Sequence, residues 1–392
     1  CSWGCGVEGC LLIEENKMKR HWITFGSLFL LVGLGMGRGA EEYQTADGYA
    51  VPRPGREFVF PRDHGSHPEF KIEWWYLTGH LVTKSGRRFG YQATFFRKAG
   101  ERRKVSSGEV VMGPPIYLGH MAFLDVGSGR FLHEERVSRQ GWDAGASEET
   151  LAVHLGPWSL GLVEGERMKV RGSIRGEGRF ELELVPRVPL VLFGKEGVSK
   201  KGDDPTAASH YLTYPRLKTT GSIQLGVERL EVEGESWMDH EMSSSQLARD
   251  QVGWDWACLQ LKDGRSVMVY QMRRADGQAD RFSTLAWVDA KGRVESVGSE
   301  GFRLSPRGIW KSPRTGAEYP SGMELATIDP QTKEAVKWQI LPLARDQELT
   351  GRVTGLAYWE GGCRVVNGGG EEIGSAFLEL TGYSGNLARS MR

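Results

Sequence analysis

Residues 72–96, IEWWYLTGHLVTKSGRRFGYQATFF, hold the pattern that decides the fold. Tyr76–Val82 and Phe89–Phe96 are short alternating segments, and Lys84-Ser85-Gly86 separates them. A strand, a tight glycine turn and a second strand make an antiparallel hairpin. The same unit recurs along the chain. Lys262-Asp263-Gly264 separates Trp254–Leu261 from Ser266–Met272, Ala290-Lys291-Gly292 follows Phe282–Val288, and Val126-Gly127-Ser128-Gly129 follows Met121–Leu124. The 53 glycines are dispersed between such segments, which excludes a linker or a collagen repeat. Few segments sustain a helical period. The expectation is an all-β protein whose antiparallel strands close into barrels, because closure removes the exposed edges of a meander.

With 392 residues the chain has room for two such barrels. FGKEGVSKKGDDPTAA, residues 193–208, reads as a long loop within the first barrel, and the Ser- and charge-rich Glu233–Ser245 reads as a break. The expected domains are therefore 51–237 and 238–392. Residues 18–40 carry a basic start (Met18, Lys19, Arg20), the apolar run Trp22–Met36 and a small-residue exit, the pattern of an export signal. The mature protein is then expected to begin near Glu41 and to be secreted or periplasmic; residues 1–17 have no clear role. Lys+Arg and Asp+Glu both number 50, and no basic stripe points to nucleic acid. Cys258 and Cys363, in the body of the chain, are compatible with one disulfide or with two buried thiols.

The chemistry gathers in four places. In Glu73-Trp74-Trp75-Tyr76, Glu73 and Trp75 share one strand face and Trp74 and Tyr76 the other. Trp237-Met238-Asp239-His240-Glu241 places three titratable groups beside an indole. In Gly253-Trp254-Asp255-Trp256, both Trp share a face with Gln260, while Asp255 points with Leu259 and Leu261. Ser209-His210-Tyr211-Leu212-Thr213-Tyr214 follows the long loop. A carboxyl desolvated by indoles has a raised pKa. The competing reading of each place is structural: Trp pairs fill cores, and an acid beside Trp often anchors a loop. His64-Gly65-Ser66-His67 reads as a solvated turn rather than a metal site, and His240-Glu241 lacks the second His of a zinc helix. No nucleophile elbow, phosphate loop or dinucleotide fingerprint is present.

The run from Phe60 to Phe96, with GHMAFLDV (119–126), SHYLTYPRLKTTG (209–221), GESWMDHEMSSSQ (234–246) and GWDWACLQLKDGRSVMVYQMR (253–273), resembles the AttH-like and carotenoid 1,2-hydratase-like proteins. The likeness is strong over about residues 56–290, although His210 stands where a Tyr is common. It implies two lipocalin-like barrels with a pocket near their interface, and relatives that act on apolar isoprenoids or polyketides. Hydration of an unactivated double bond needs a poised acid, aromatic faces for a cation and a placed water, but no cofactor and no metal. The acid candidates are Asp239, Asp255 and Glu73, in that order, with His240 and His210 as partners. Trp74, Trp75, Tyr76, Tyr211, Tyr214, Trp237, Trp254, Trp256, Gln260 and Tyr270 are the expected ligand-binding residues. The alternative from another class is a monomeric, non-catalytic carrier that hands an apolar ligand to an ABC transporter. A secreted hydrolase lacks its nucleophile motif.

Overall fold

The computed structural model describes residues 43–385, apart from 105, 107, 108, 246 and 249. The expected export signal lies outside them. Among the described residues there is no α-helix; the chain is antiparallel strand with a few single 3-10 turns. Gly86, Gly129, Gly264 and Gly292, at the four expected turns, all have positive φ, which only glycine adopts without strain.

Two curled sheets result. The first runs in the order Arg130–Arg139, Ile116–Asp125, Arg88–Lys98, Ile72–Thr83, Glu228–Ser245, Ala208–Leu225, Gly178–Pro186, Arg167–Ile174, Trp158–Glu164, Ala152–Leu155, Ala144–Ala146. Its two edge strands, Arg130–Arg139 and Ala144–Ala146, are linked by residues 140–143 alone, so the sheet must curl until its edges meet. The second runs Val294–Gly298, Thr284–Val288, Ser266–Arg274, Gln251–Leu261, Glu372–Leu380, Ala357–Val366, Ala335–Pro342, Met323–Ile328, Phe302–Pro306. Its edges are joined through the three-residue turn Ser299–Gly301. Alternation sends one face of each strand into its own barrel: Trp75, Leu77, Phe89 and Tyr91 into the first, Leu259, Val267, Leu325 and Trp359 into the second. A third cluster, with Tyr76, Tyr211, Trp237, Trp256 and Tyr270, packs the outer faces of the two sheets together.

Three expectations are corrected. The stretch 233–245 is not a break but the end of the 18-residue strand Glu228–Ser245, so residue 237 lies mid-strand and the passage between sheets falls between Ser245 and Gln251. Its polar side chains are compatible with a strand because neighbouring elements supply partners: Arg216 for Glu235, Tyr91 for Ser236, Thr213 and Tyr211 for Asp239, Glu73 for His240 Nε2, and Lys201 and Ser209 for Glu241. The His64–His67 segment is buried, not solvated, because it is bonded to the inward face of the strand Ile72–Thr83: the Trp75 indole donates to the His64 carbonyl, and Ser66 and His67 bond to Glu73. The long loop is partly ordered by Val191–Leu192 and Val198–Lys200, which pair with Ala208–Leu225. Cys258 and Cys363 are both free and buried.

Candidate functional site

Strand register builds the site. Val137, Leu118, Phe96, Trp74, Glu241 and Tyr211 are successive cross-strand partners, one row across six adjacent strands. Beside it runs a second row, His120, Thr94, Tyr76, Asp239 and Thr213. The second sheet opposes them with Tyr270, Trp256, Glu379 and Glu360, also one row. Between the sheets lies a cavity of about 280 Å³, lined by most of these side chains and by Lys201 from the long loop. Its wall is chiefly apolar and rich in aromatic rings, with Trp256 edge-on to Tyr76 at 5.3 Å.

Asp239 stands at this wall. Its Oδ1 accepts from Thr213 Oγ1 at 2.6 Å and from Trp237 Nε1 at 2.8 Å, and its Oδ2 accepts from the Tyr211 hydroxyl at 2.8 Å. The same hydroxyl accepts from Trp256 Nε1 at 3.0 Å. Burial pushes the Asp239 carboxyl up to about 7, the nearby Glu241 adding to it, against the three donors. Burial also raises Glu241, which is held by Ser209 and by Lys201 Nζ at 3.3 Å. Glu379, bonded by Trp254 Nε1 at 3.1 Å, is raised by burial to about 7. Its cross-strand partner Glu360 receives the Tyr76 hydroxyl; burial and the Glu379 charge lift it well above the carboxylate range. Burial therefore raises all four carboxyls, Asp239 and Glu379 to about 7, and a carboxyl that keeps its proton near neutral pH can donate it.

Of the expected residues, the cavity gathers Asp239, Trp74, Tyr76, Tyr211, Trp254, Trp256 and Tyr270, with Trp237 directly behind Asp239. The other expected residues lie elsewhere. Glu73, Trp75 and His240 occupy the opposite strand face, inside the first barrel, as alternation requires. There Glu73 accepts from Ser66, from the His67 amide and from Arg97 Nε at 3.0 Å, and lies 3.0 Å from His240 Nε2. Burial alone would raise Glu73, but His240, His67 and Arg97 together hold it well below the usual range, so it is no proton donor. By distance His67, Glu73 and His240 could approach one ion. Yet His67 sets one ring nitrogen 2.9 Å from Glu73 and the other 2.8 Å from Asp63, so both nitrogens are donors. With Arg97 on the same carboxylate, the cluster is a closed ion-pair knot.

Asp255 faces the interior of the second barrel, paired with Arg273 at 2.6 Å and bonded by Tyr383; burial raises it to about 6, but it does not reach the cavity. His210 packs edge-on against Phe58 and Phe70, and burial lowers it to about 4. Tyr214 points into the first barrel toward His64, 3.2 Å away. Gln260 ties the sheets together, donating to the carbonyls of Pro215 and Ser236. Sequence reasoning missed Glu360, Glu379, Tyr358 and Lys201. Tyr358 and Glu360 belong to Tyr358-Trp359-Glu360, an aromatic-acid run that offers a usable signal; Glu379 stands in the plain apolar run Phe377-Leu378-Glu379-Leu380, and Lys201 is hidden in a charged loop.

Comparison with known proteins agrees with the fold. An AttH from Nitrosomonas europaea superposes with a TM-score of 0.75 at 33% identity, over 85% of this chain and 99% of that one. Kievitone hydratase from Nectria haematococca shares the fold, with a TM-score of 0.59 at 13% identity, over 87% of this chain and 98% of that one. A ceramide-binding protein of Debaryomyces hansenii is 32% identical over 68 residues, which is 17% of this chain and only 18% of that protein. The family model described as AttH-like matches residues 51–383, which takes in both barrels and the cavity between them, and the chain belongs to the AttH-like family.

Proposed function

We propose that the protein binds an apolar small molecule, of isoprenoid, lipid or polyketide type, in the cavity between its barrels, and that Asp239 hydrates or isomerises it without a cofactor. The observation that carries this reading is Asp239 itself: a buried carboxyl, raised to about 7, on the wall of an aromatic cavity. A general acid works best with a pKa near the operating pH. The protonated carboxyl gives its proton to one alkene carbon, whose π pair forms the new C–H bond. The cation left on the other carbon lies among Trp256, Trp74 and Tyr76, whose faces stabilise positive charge. In hydration, water adds to the cation and its surplus proton returns to Asp239; in isomerisation, the Asp239 carboxylate takes a proton from a neighbouring carbon instead, and that C–H pair becomes the new double bond.

A second reading, a carrier that passes its ligand to a membrane exporter, is favoured by the segment shared with a ceramide-binding protein. It uses the aromatic wall but not the acid. Native mass spectrometry of the protein from its own host, followed by product analysis with Asp239→Asn, separates the two. Conversion of the co-purified ligand by wild type, at least about 100-fold slower in the variant, supports acid catalysis. Equal binding by both proteins with no conversion by wild type leaves the carrier.

A further inference from the structure

The cavity floor has a direction. Along its first row, Val137, Leu118, Phe96 and Trp74 are apolar, and Glu241 and Tyr211 are polar. Val137 and the neighbouring Ile116 are exposed, whereas Glu241, Tyr211 and Lys201 are buried. Adjacent strands are about 4.8 Å apart, so the row spans roughly 24 Å of sheet from a wet apolar end to a dry polar one. Over the polar end stands Tyr270. Its ring carries Lys201 Nζ at 4.4 Å, and its hydroxyl, fully buried, has no hydrogen-bond partner among the described residues. A buried hydroxyl without a partner is costly, and a native fold rarely leaves one unless something else meets it.

We infer that the ligand is an elongated amphiphile whose neutral oxygen head, a hydroxyl or carbonyl, accepts a hydrogen bond from Tyr270 while its apolar tail runs toward Val137. This rests on the reading that the cavity is a ligand site, and it adds the ligand's polarity and orientation. A neutral head fits better than an anionic one. Lys201 is already paired with Glu241, and the burial that raises Asp239 and Glu241 at this end would penalise a further carboxylate in the same way. A bare hydrocarbon would leave the Tyr270 hydroxyl unmet.

Displacement of the fluorescent apolar reporter N-phenylnaphthylamine from the full chain by decane, decanol and decanoate tests this. Decanol is expected to bind about ten-fold more tightly than decane, the worth of one bond to a buried, otherwise unpaired donor. Decanoate should bind less tightly than decanol. In Tyr270→Phe the decanol preference should collapse while decane affinity holds, and the melting temperature should not fall, since the lost hydroxyl makes no bond. Equal affinity for decane and decanol in wild type overturns the head-group assignment and leaves the cavity reading standing. So does a decanol preference that survives in Tyr270→Phe. Tighter binding of decanoate overturns the neutral head. No binding by the reporter or any probe overturns the cavity reading and the amphiphile with it.

Discussion

Asp239 and Glu73 lie on neighbouring strands and are both buried, yet their surroundings push them in opposite directions, and this opposition is measurable. Asp239 rises from 3.8 to about 7 on folding, so its contribution to stability is full below pH 3.8 and is lost as pH rises through 7. Glu379, raised from 4.5 to about 7, has the same sign. Asp239→Asn keeps the acceptor for Thr213 and Trp237 and mimics the neutral acid. Thermal melts between pH 4 and 8 should therefore show wild type losing more stability than the variant as pH rises; identical slopes would mean that Asp239 ionises normally. Glu73 is depressed, so its contribution is present above pH 4.5 and disappears as pH falls below it. Glu73→Gln leaves Arg97 and His67 facing a neutral amide in a dry interior. A loss of about 3–5 kcal/mol is expected in urea unfolding at pH 7. A loss under 1 kcal/mol would show that the knot contributes little.

At the scale of the element, strand alternation explains what was legible and what was not. The face assignments of Trp74 and Tyr76, of Trp254 and Trp256, and of Asp255 all follow from a period of two within a single strand, and all hold in the structure. Pairing between distant strands has no such local sign. That Glu228–Ser245 lies against Ile72–Thr83, setting Asp239 beside Tyr76 and His240 beside Trp75, depends on contacts more than 150 residues apart in sequence. Hence His240 was grouped with Asp239 although alternation sends it to the other face. The polar composition of the strand hid it for the same reason: its partners come from elsewhere. Glycine helps set this register. A Cβ on Gly234 would fall 1.9 Å from the His80 carbonyl oxygen of the paired strand, a backbone atom that cannot swing aside. Gly234→Ala should therefore cost about 1–3 kcal/mol in chemical denaturation. An unchanged midpoint would show that the two strands separate locally without penalty.

At the scale of the molecule, the cavity is only as well defined as the seam between the barrels. That seam is not simply greasy. Arg216, on the first sheet, donates to the carbonyls of Leu261 and Arg265 and to Ser266 Oγ, while its other arm pairs with Glu235 at 2.6 Å. Gln260, on the second, donates back to Pro215 and Ser236. Tyr76 reaches Glu360, and Trp256 reaches Tyr211. These bonds are directional and cross in both senses, so the sheets cannot slide past each other without leaving several buried groups unpaired, each costing about 1–3 kcal/mol. The cavity walls should accordingly persist or dissolve with the whole fold. Urea unfolding of wild type followed by tryptophan fluorescence and by far-ultraviolet circular dichroism should give one coincident transition. Arg216→Met strands two carbonyls and Glu235, and should both destabilise the protein by a few kcal/mol and pull the two signals apart. The fluorescence of the seam tryptophans Trp237, Trp254 and Trp256 should change before the strand signal is lost. If the variant still unfolds in one step at the wild-type midpoint, Arg216 does not hold the barrels together, and the remaining cross-seam bonds and the apolar cluster around Trp256 must do so.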